Sequence, residues 1–213
     1  MTLSGRFDPW MDAFPRELLP DIFEVVLETW PSYRAAIPRR TIERRLNLTL
    51  VRHLQRAARS RRCGFNFEPH SRLLEDDSEV ETGELDIKVA VCLAEDVYFA
   101  FECKRLFPTS SRSRAEDYTG SGGMGCFLGG QYDGKAGAGG MLGYVITGTA
   151  QRARDAVATR IHQDRASLHL KSPFALKSSA LHPKYPEIEE TRHSRPENNF
   201  VLYHVFLSVQ EES

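Results

Sequence analysis

No apolar run in the 213-residue chain approaches the ~20 residues that a membrane-spanning helix requires, so no membrane partner is expected. The N-terminus, with Arg6, Asp8 and Asp12, lacks the continuous apolar stretch of a secretory signal, which leaves the cytoplasm as the expected compartment. Cysteine is scarce and scattered. Cys63, Cys92, Cys103 and Cys126 form no CxxC pair, which argues against a zinc knuckle or disulfide framework and for buried free thiols. The seven histidines show neither HExxH nor HxxxH spacing, so a histidine-built metal centre has no support. No internal repeat is visible, and the net charge of −1 selects no partner by itself.

With 41% hydrophobic and 27% charged residues, the composition is that of an ordinary globular protein, and the length fits a single domain over 1–213. Its expected parts are an N-terminal helical extension (1–38), a central core (39–148), and a C-terminal helix, polar loop and strand (149–213). The charge is unevenly spread. Between Arg39 and Arg62 there are nine arginines and one acid, Glu43; between Glu68 and Glu102 there are eleven acids and two bases, Arg72 and Lys88. A basic surface beside an acid-rich segment suits a protein that holds both a polyanion and a divalent cation, although two solvated faces of opposite sign would look the same.

Residues 16–30 have helical apolar spacing that Pro31 is expected to break; a longer helix is predicted from about Pro38, near its first turn, to about Arg61. Strands are predicted at Phe65–Pro69, Leu85–Leu93 and Val97–Lys104, the last two joined in an antiparallel hairpin by Ala94-Glu95-Asp96. Polar residues 108–118 can begin a helix, whereas 120–140 holds ten glycines in 21 residues and cannot be regular helix throughout. Met141–Gly148 reads as a buried strand, Ala150–Arg165 as a helix, 166–198 as a polar, proline-punctuated stretch and Phe200–Val209 as a final strand. The expected class is α/β, with a mixed β-sheet flanked by helices.

Strand alternation puts Phe99, Phe101 and Cys103 on one face, and Ala100, Glu102 and Lys104 on the other. The preceding strand sets Leu85, Ile87, Val89 and Val91 against Glu84, Asp86 and Lys88. A hairpin turning at 94–96 brings Asp86 opposite the end of the next strand, so Asp86, Glu102 and Lys104 can converge. Phosphodiester hydrolysis uses such a set: carboxylates for a hard divalent ion, and a lysine to orient or deprotonate water and offset transition-state charge. On the long helix, at about 100° per residue, Ile42, Leu46, Leu50, Leu54, Ala57 and Ala58 form an apolar arc with Glu43 near its middle. Glu43 there either reaches the metal site, pairs with a buried cation, or is a favourable first-turn acid. Arg45, Arg52 and Arg56 cluster on the opposite side as candidate phosphate ligands.

The helix acid Glu43, Asp86, and Glu102-x-Lys104, followed by a helix and a strand, resemble the PD-(D/E)xK, or restriction-endonuclease-like, nuclease superfamily over about residues 39–148. The resemblance implies an α-β-β-β-α-β core, Asp86 and Glu102 as ligands of Mg²⁺ (or Mn²⁺), Lys104 as the catalytic lysine and Glu43 as the accessory helix acid. It also implies a nucleic-acid substrate, most simply DNA, and a place in a bacterial restriction, repair or phage-defence system, as a homodimer or a subunit of a larger assembly. Leu85 stands where many members carry proline, and Glu84 shares the Asp86 face. Gln131 is the candidate for the polar residue that many members place after the ExK strand. Two readings stay open beside it. Residues 118–125 can cradle a phosphate through backbone N–H groups, though no Walker motif follows. The whole can also be a non-catalytic nucleotide- or nucleic-acid-binding module on a nuclease-like scaffold.

Overall fold

The computed structural model describes residues 13–38, 41–74, 81–91, 97–110, 113–132, 135–196 and 198–210. The N-terminal periodicity forms a 3₁₀ turn, Arg16–Leu18, running into α1, Leu19–Arg34. Pro31 does not break this helix; it lies inside the helix, one turn from its end. A proline there forfeits one backbone bond, and the burial of Trp30 and Tyr33 on either side, packed edge to face, holds the last turn in place.

Helix α2 spans Glu43–Arg61 and so starts later than Pro38. Ile42 is its N-cap, in extended conformation (φ −76°, ψ 155°), and is 60% exposed instead of lying on the apolar arc. The helical wheel has no meaning for a residue before the first turn. Leu46, Leu50, Leu54 and Ala58 are buried as the spacing predicts.

Strands β1 (Asn66–Leu74), β2 (Glu81–Ala90) and β3 (Tyr98–Leu106) follow and pair antiparallel in sequence. The predicted turn at 94–96 falls outside the described residues. Two short helices, α3 (Ala115–Thr119) and α4 (Met124–Leu128), carry the chain to β4 (Ala138–Val145), which lies parallel to β3. The glycines of the approach are needed there: a Cβ on Gly139 or Gly140 would lie 2.3 or 2.2 Å from the ring of Phe127 or Phe101.

Thr149 caps α5 (Ala150–Gln163) by accepting the Arg152 N–H. The polar stretch after it hides two strands, β5 (Lys177–Ser178) and β6 (Glu189–Ser194), before β7 (Asn199–Ser208). β6 reads EETRHS and carries no apolar alternation, because its buried members are polar groups in mutual contact. Thr191, for instance, bonds the imidazoles of His193 and His204, and Tyr118 bonds His204 from above.

The seven strands form one mixed sheet in the order β1-β2-β3-β4-β7-β6-β5. α1 and α2 cover one face, burying Ile22, Phe23 and Leu50 against Ile87, Phe99 and Phe101. The other face is covered by α3, α4 and α5, with Tyr118, Phe127 and Val157 packed on Ala100 and Met141. The class is therefore α/β, a mixed sheet flanked by helices. Among the described residues no helix is long and apolar enough to cross a membrane.

Candidate active site

The ladder between β2 and β3 runs from Ala90↔Tyr98 to Ile87↔Phe101 and stops, while β3 continues to Leu106. Backbone amides on that side of β3 then need other acceptors. The Cys103 N–H donates to Asp86 Oδ2 at 2.8 Å, and the Arg105 N–H donates to Glu43 Oε2 at 2.8 Å. One carboxylate from β2 and one from the start of α2 thus take over where the strand partner leaves.

Strand β2 turns over as it departs. Ile87, Val89 and Val91 pack under α1 and α2, but Leu85 joins the core on the opposite face, so the four do not share one face as predicted. The rotation directs Asp86 toward α2. Its Oδ1 accepts from Asn47 Nδ2 at 2.8 Å, and Asn47 Oδ1 accepts from the Tyr144 hydroxyl at 2.9 Å. Asn47 and Tyr144 are fully buried. Asn47 sits one helical turn beyond Glu43, which explains how a single helix serves both carboxylates.

Glu102 is only 4% exposed. Its Oε2 accepts from the Tyr132 hydroxyl at 2.9 Å, and its Oε1 accepts from Lys104 Nζ. Lys104 Nζ is also 3.9 Å from Glu43 Oε1. Burial, and then the Asp86 carboxylate, push the Glu102 carboxyl up to about 8. Burial also raises Glu43, against the pull of Lys104 and the Arg105 N–H. Burial alone would lower Lys104; Glu102, followed by Glu43 and Asp86, outweighs it and raises the lysine. Glu102 and Glu43 therefore share one ammonium group, and burial makes Glu102 hold its proton more readily than an exposed glutamate does.

The donors suit a hard ion. The Cys103 thiol is buried, receives the Tyr144 hydroxyl and is pushed far upward by burial, so it remains a protonated packing group. Among the described residues no three or more His, Cys, Asp or Glu side chains form a cage that could hold a metal ion. Mg²⁺ needs no such cage: it takes one or two carboxylates and keeps several waters. Asp86 and Glu102 are the carboxylates that could hold such an ion, and each already accepts two hydrogen bonds from the protein.

A cleft of about 410 Å³ opens beside Glu43 and Lys104, and its wall includes Arg105, Arg114, Gly120 and Gly122. Gly120 and Gly122 thus bring the α3–α4 corner to face Glu43 and Lys104; Asp86 and Glu102 do not line this cleft. Arg45, Arg52 and Arg56 are exposed on the outer side of α2 and do not line this cleft. Gln131 lies exposed in the bend after α4, while its neighbour Tyr132 turns inward to Glu102. Glu84 is drawn off by His70 at 3.0 Å and Arg44 at 3.7 Å. Asn47, Tyr132 and Tyr144 escaped the sequence reading; the available signal was an amide on the apolar stripe of α2 and a tyrosine amid the buried strand MLGYV.

Comparison with protein-family models, curated proteins and solved structures finds no match.

Proposed function

We propose that the chain is a divalent-metal-dependent phosphodiesterase of the PD-(D/E)xK type that hydrolyses nucleic acid, with DNA the favoured substrate. The observation that carries this reading is the meeting of Asp86, Glu102, Lys104 and Glu43 where β2 parts from β3. The order α2-β1-β2-β3-α3-α4-β4, with β4 parallel to β3, supports this reading, with two five-residue helices where the implied core has one.

Asp86 and Glu102 would hold Mg²⁺ or Mn²⁺, with Glu43 beside them. When bound, the ion supplies Lewis-acid polarisation of the phosphate and a more acidic water. Asn47 and the Cys103 amide fix the Asp86 carboxylate, so it needs little reorganisation. Lys104, raised by its acidic neighbours, serves as an ammonium group that orients water and neutralises developing phosphate charge, a better match than a proton acceptor. Assignment to a restriction, repair or phage-defence system, as a homodimer or a subunit, belongs to the same proposal and rests on the resemblance.

The test is cleavage of plasmid and single-stranded DNA with Mg²⁺ or Mn²⁺ by the wild type, Glu102→Ala and Lys104→Ala. Loss of at least a hundredfold in both variants is expected; equal activity in all three proteins refutes the site. Because Lys104, Arg105 and Arg114 line one cleft with the glycine corner, a second reading is a non-catalytic binding module. Nucleotide binding without cleavage by the wild type would select it.

A further inference from the structure

Arg105 ends β3 directly after Lys104, and Arg114 precedes α3, yet both guanidinium groups lie over the same aromatic ring. They stand 5.7 and 5.4 Å from the centroid of Phe107, which is half-buried between them in sequence. Stacking on an aromatic face fixes the plane of a guanidinium while leaving its edge N–H groups to bond. Those of Arg105 are poorly used. Among the described residues its Nε is buried with no hydrogen-bond partner, and its Nη1 reaches only the Thr41 carbonyl at 3.4 Å. A buried donor left unpaired is disfavoured, and a ligand oxygen brought to the guanidinium edge would offset it.

Arg114 is similarly underused. Its nearest acid, Asp117, lies at 3.8 Å and is exposed, too far for a hydrogen bond. Its backbone is held in the left-handed region (φ 60°), a strained setting for a non-glycine residue. Both arginines line the cleft with Lys104, and the facing wall is open at Gly122, where an added Cβ would meet nothing within 4 Å. Glu116 and Asp117 also line the cleft, but Glu116 leans toward Arg160, at 3.8 Å.

We propose that Arg105 and Arg114, backed by Phe107, form a subsite for a phosphate of the bound polynucleotide other than the one at Lys104. This rests on the nucleic-acid reading above and names the residues that hold the strand. Planar, forked donors on a fixed platform match phosphate oxygens bidentately, which the point charge of a lysine does not. The subsite replaces the outer face of α2 as the place where the backbone is gripped.

The experiment measures binding of a fluorescent 12-nucleotide DNA lacking terminal phosphates to the full chain in EDTA, as a function of salt. The proteins are the wild type, Arg105→Gln, Arg114→Gln, Phe107→Leu and Arg165→Gln, the last a charge control outside the cleft; circular dichroism checks folding. Each cleft arginine variant should bind about tenfold more weakly and flatten the salt slope by roughly 0.7. Arg165→Gln should match the wild type. Arg105→Lys and Arg114→Lys should keep the slope while losing affinity. Wild-type affinity in both glutamine variants overturns the subsite even if the protein cleaves DNA. Weakened binding in a wild-type protein that never cleaves keeps the subsite and discards the nuclease. Equal affinity for dAMP and the 12-mer overturns the assignment to a polynucleotide in favour of a free nucleotide.

Discussion

Replacing Glu102 by glutamine should stabilise the metal-free protein at alkaline pH while abolishing the proposed cleavage. Glu102 is 4% exposed and its carboxyl is raised to about 8, by burial first and Asp86 second. An unfolded glutamate ionises near 4.5, so the folded state holds a proton that the unfolded state releases. The sign follows: wild-type stability falls as pH rises from about 4.5 to about 8 and is level above that. A displacement of about 3.5 pH units at 1.36 kcal/mol each sets a ceiling near 5 kcal/mol. Coupling to Lys104, which loses an ionised partner in the variant, brings the expected gain to roughly 2–3 kcal/mol at pH 9, shrinking below about 1 at pH 5. Glutamine keeps one acceptor oxygen for Lys104, and its NH₂ can donate to the Tyr132 hydroxyl, which still has the Glu84 carbonyl to donate to at 2.8 Å, so packing is conserved. Urea unfolding in EDTA from pH 5 to 9 gives the difference directly. Parallel curves for the two proteins, or a less stable Glu102→Gln at pH 9, would refute the picture of an uncompensated buried acid. Adding Mg²⁺ should raise the midpoint of the wild type and leave that of the variant unmoved.

Asn47→Ala removes the amide between Asp86 and Tyr144. The lost charge-assisted bond contributes about 1.5–3 kcal/mol, and Tyr144, left with its 3.5 Å contact to Cys103 Sγ, about 1, so about 2.5–4 kcal/mol of destabilisation is expected by urea unfolding; a loss under about 1 refutes the bridge. In the α3–α4 corner, Gly123→Ala would put a Cβ 2.2 Å from the Tyr118 carbonyl oxygen, whereas Gly122→Ala meets open space. The first should lower stability by about 2–4 kcal/mol and the second by under about 1, within which the backbone propensity of alanine is contained; equal effects would refute the packing argument.

The parts of the fold with strong periodicity were legible in the sequence. Leu46, Leu50 and Leu54 mark the buried face of α2, and Phe99 and Phe101 that of β3, because apolar burial is what these spacings encode. β6 was not legible, since Glu189, Glu190, Thr191 and His193 are buried through pairing with Arg154, Lys177, His204 and one another. Of the site, Glu102 and Lys104 could be found from a strand that ends in charge, and Asp86 from a hairpin. The rotation of β2 at Asp86 could not, because strict alternation assumes a continued ladder and here the ladder ends at Ile87. The helical wheel put Arg45, Arg52 and Arg56 opposite the apolar arc, and they are exposed there, away from the cleft. The cations that reach the cleft, Lys104, Arg105 and Arg114, come from a strand end and a turn.

The parting of β2 from β3 accounts for both the stability and the chemistry of this corner. Once β2 leaves, the Cys103 and Arg105 amides would face a poorly hydrated gap unpaired, and such groups are rarely tolerated. Acceptors with negative charge make strong bonds to them, so Asp86 and Glu43 are held there by the backbone. Those same bonds leave each carboxylate with further lone pairs pointing into the gap, since an ionised carboxylate accepts about four bonds. Glu102 then arrives from the continuing strand with only Lys104 and Tyr132 to offset it. An antiparallel sheet that stayed fully paired would have used its amides up and left no reason to assemble acids. The gap in the ladder is therefore the structural cause of the charge excess on which the proposed chemistry depends.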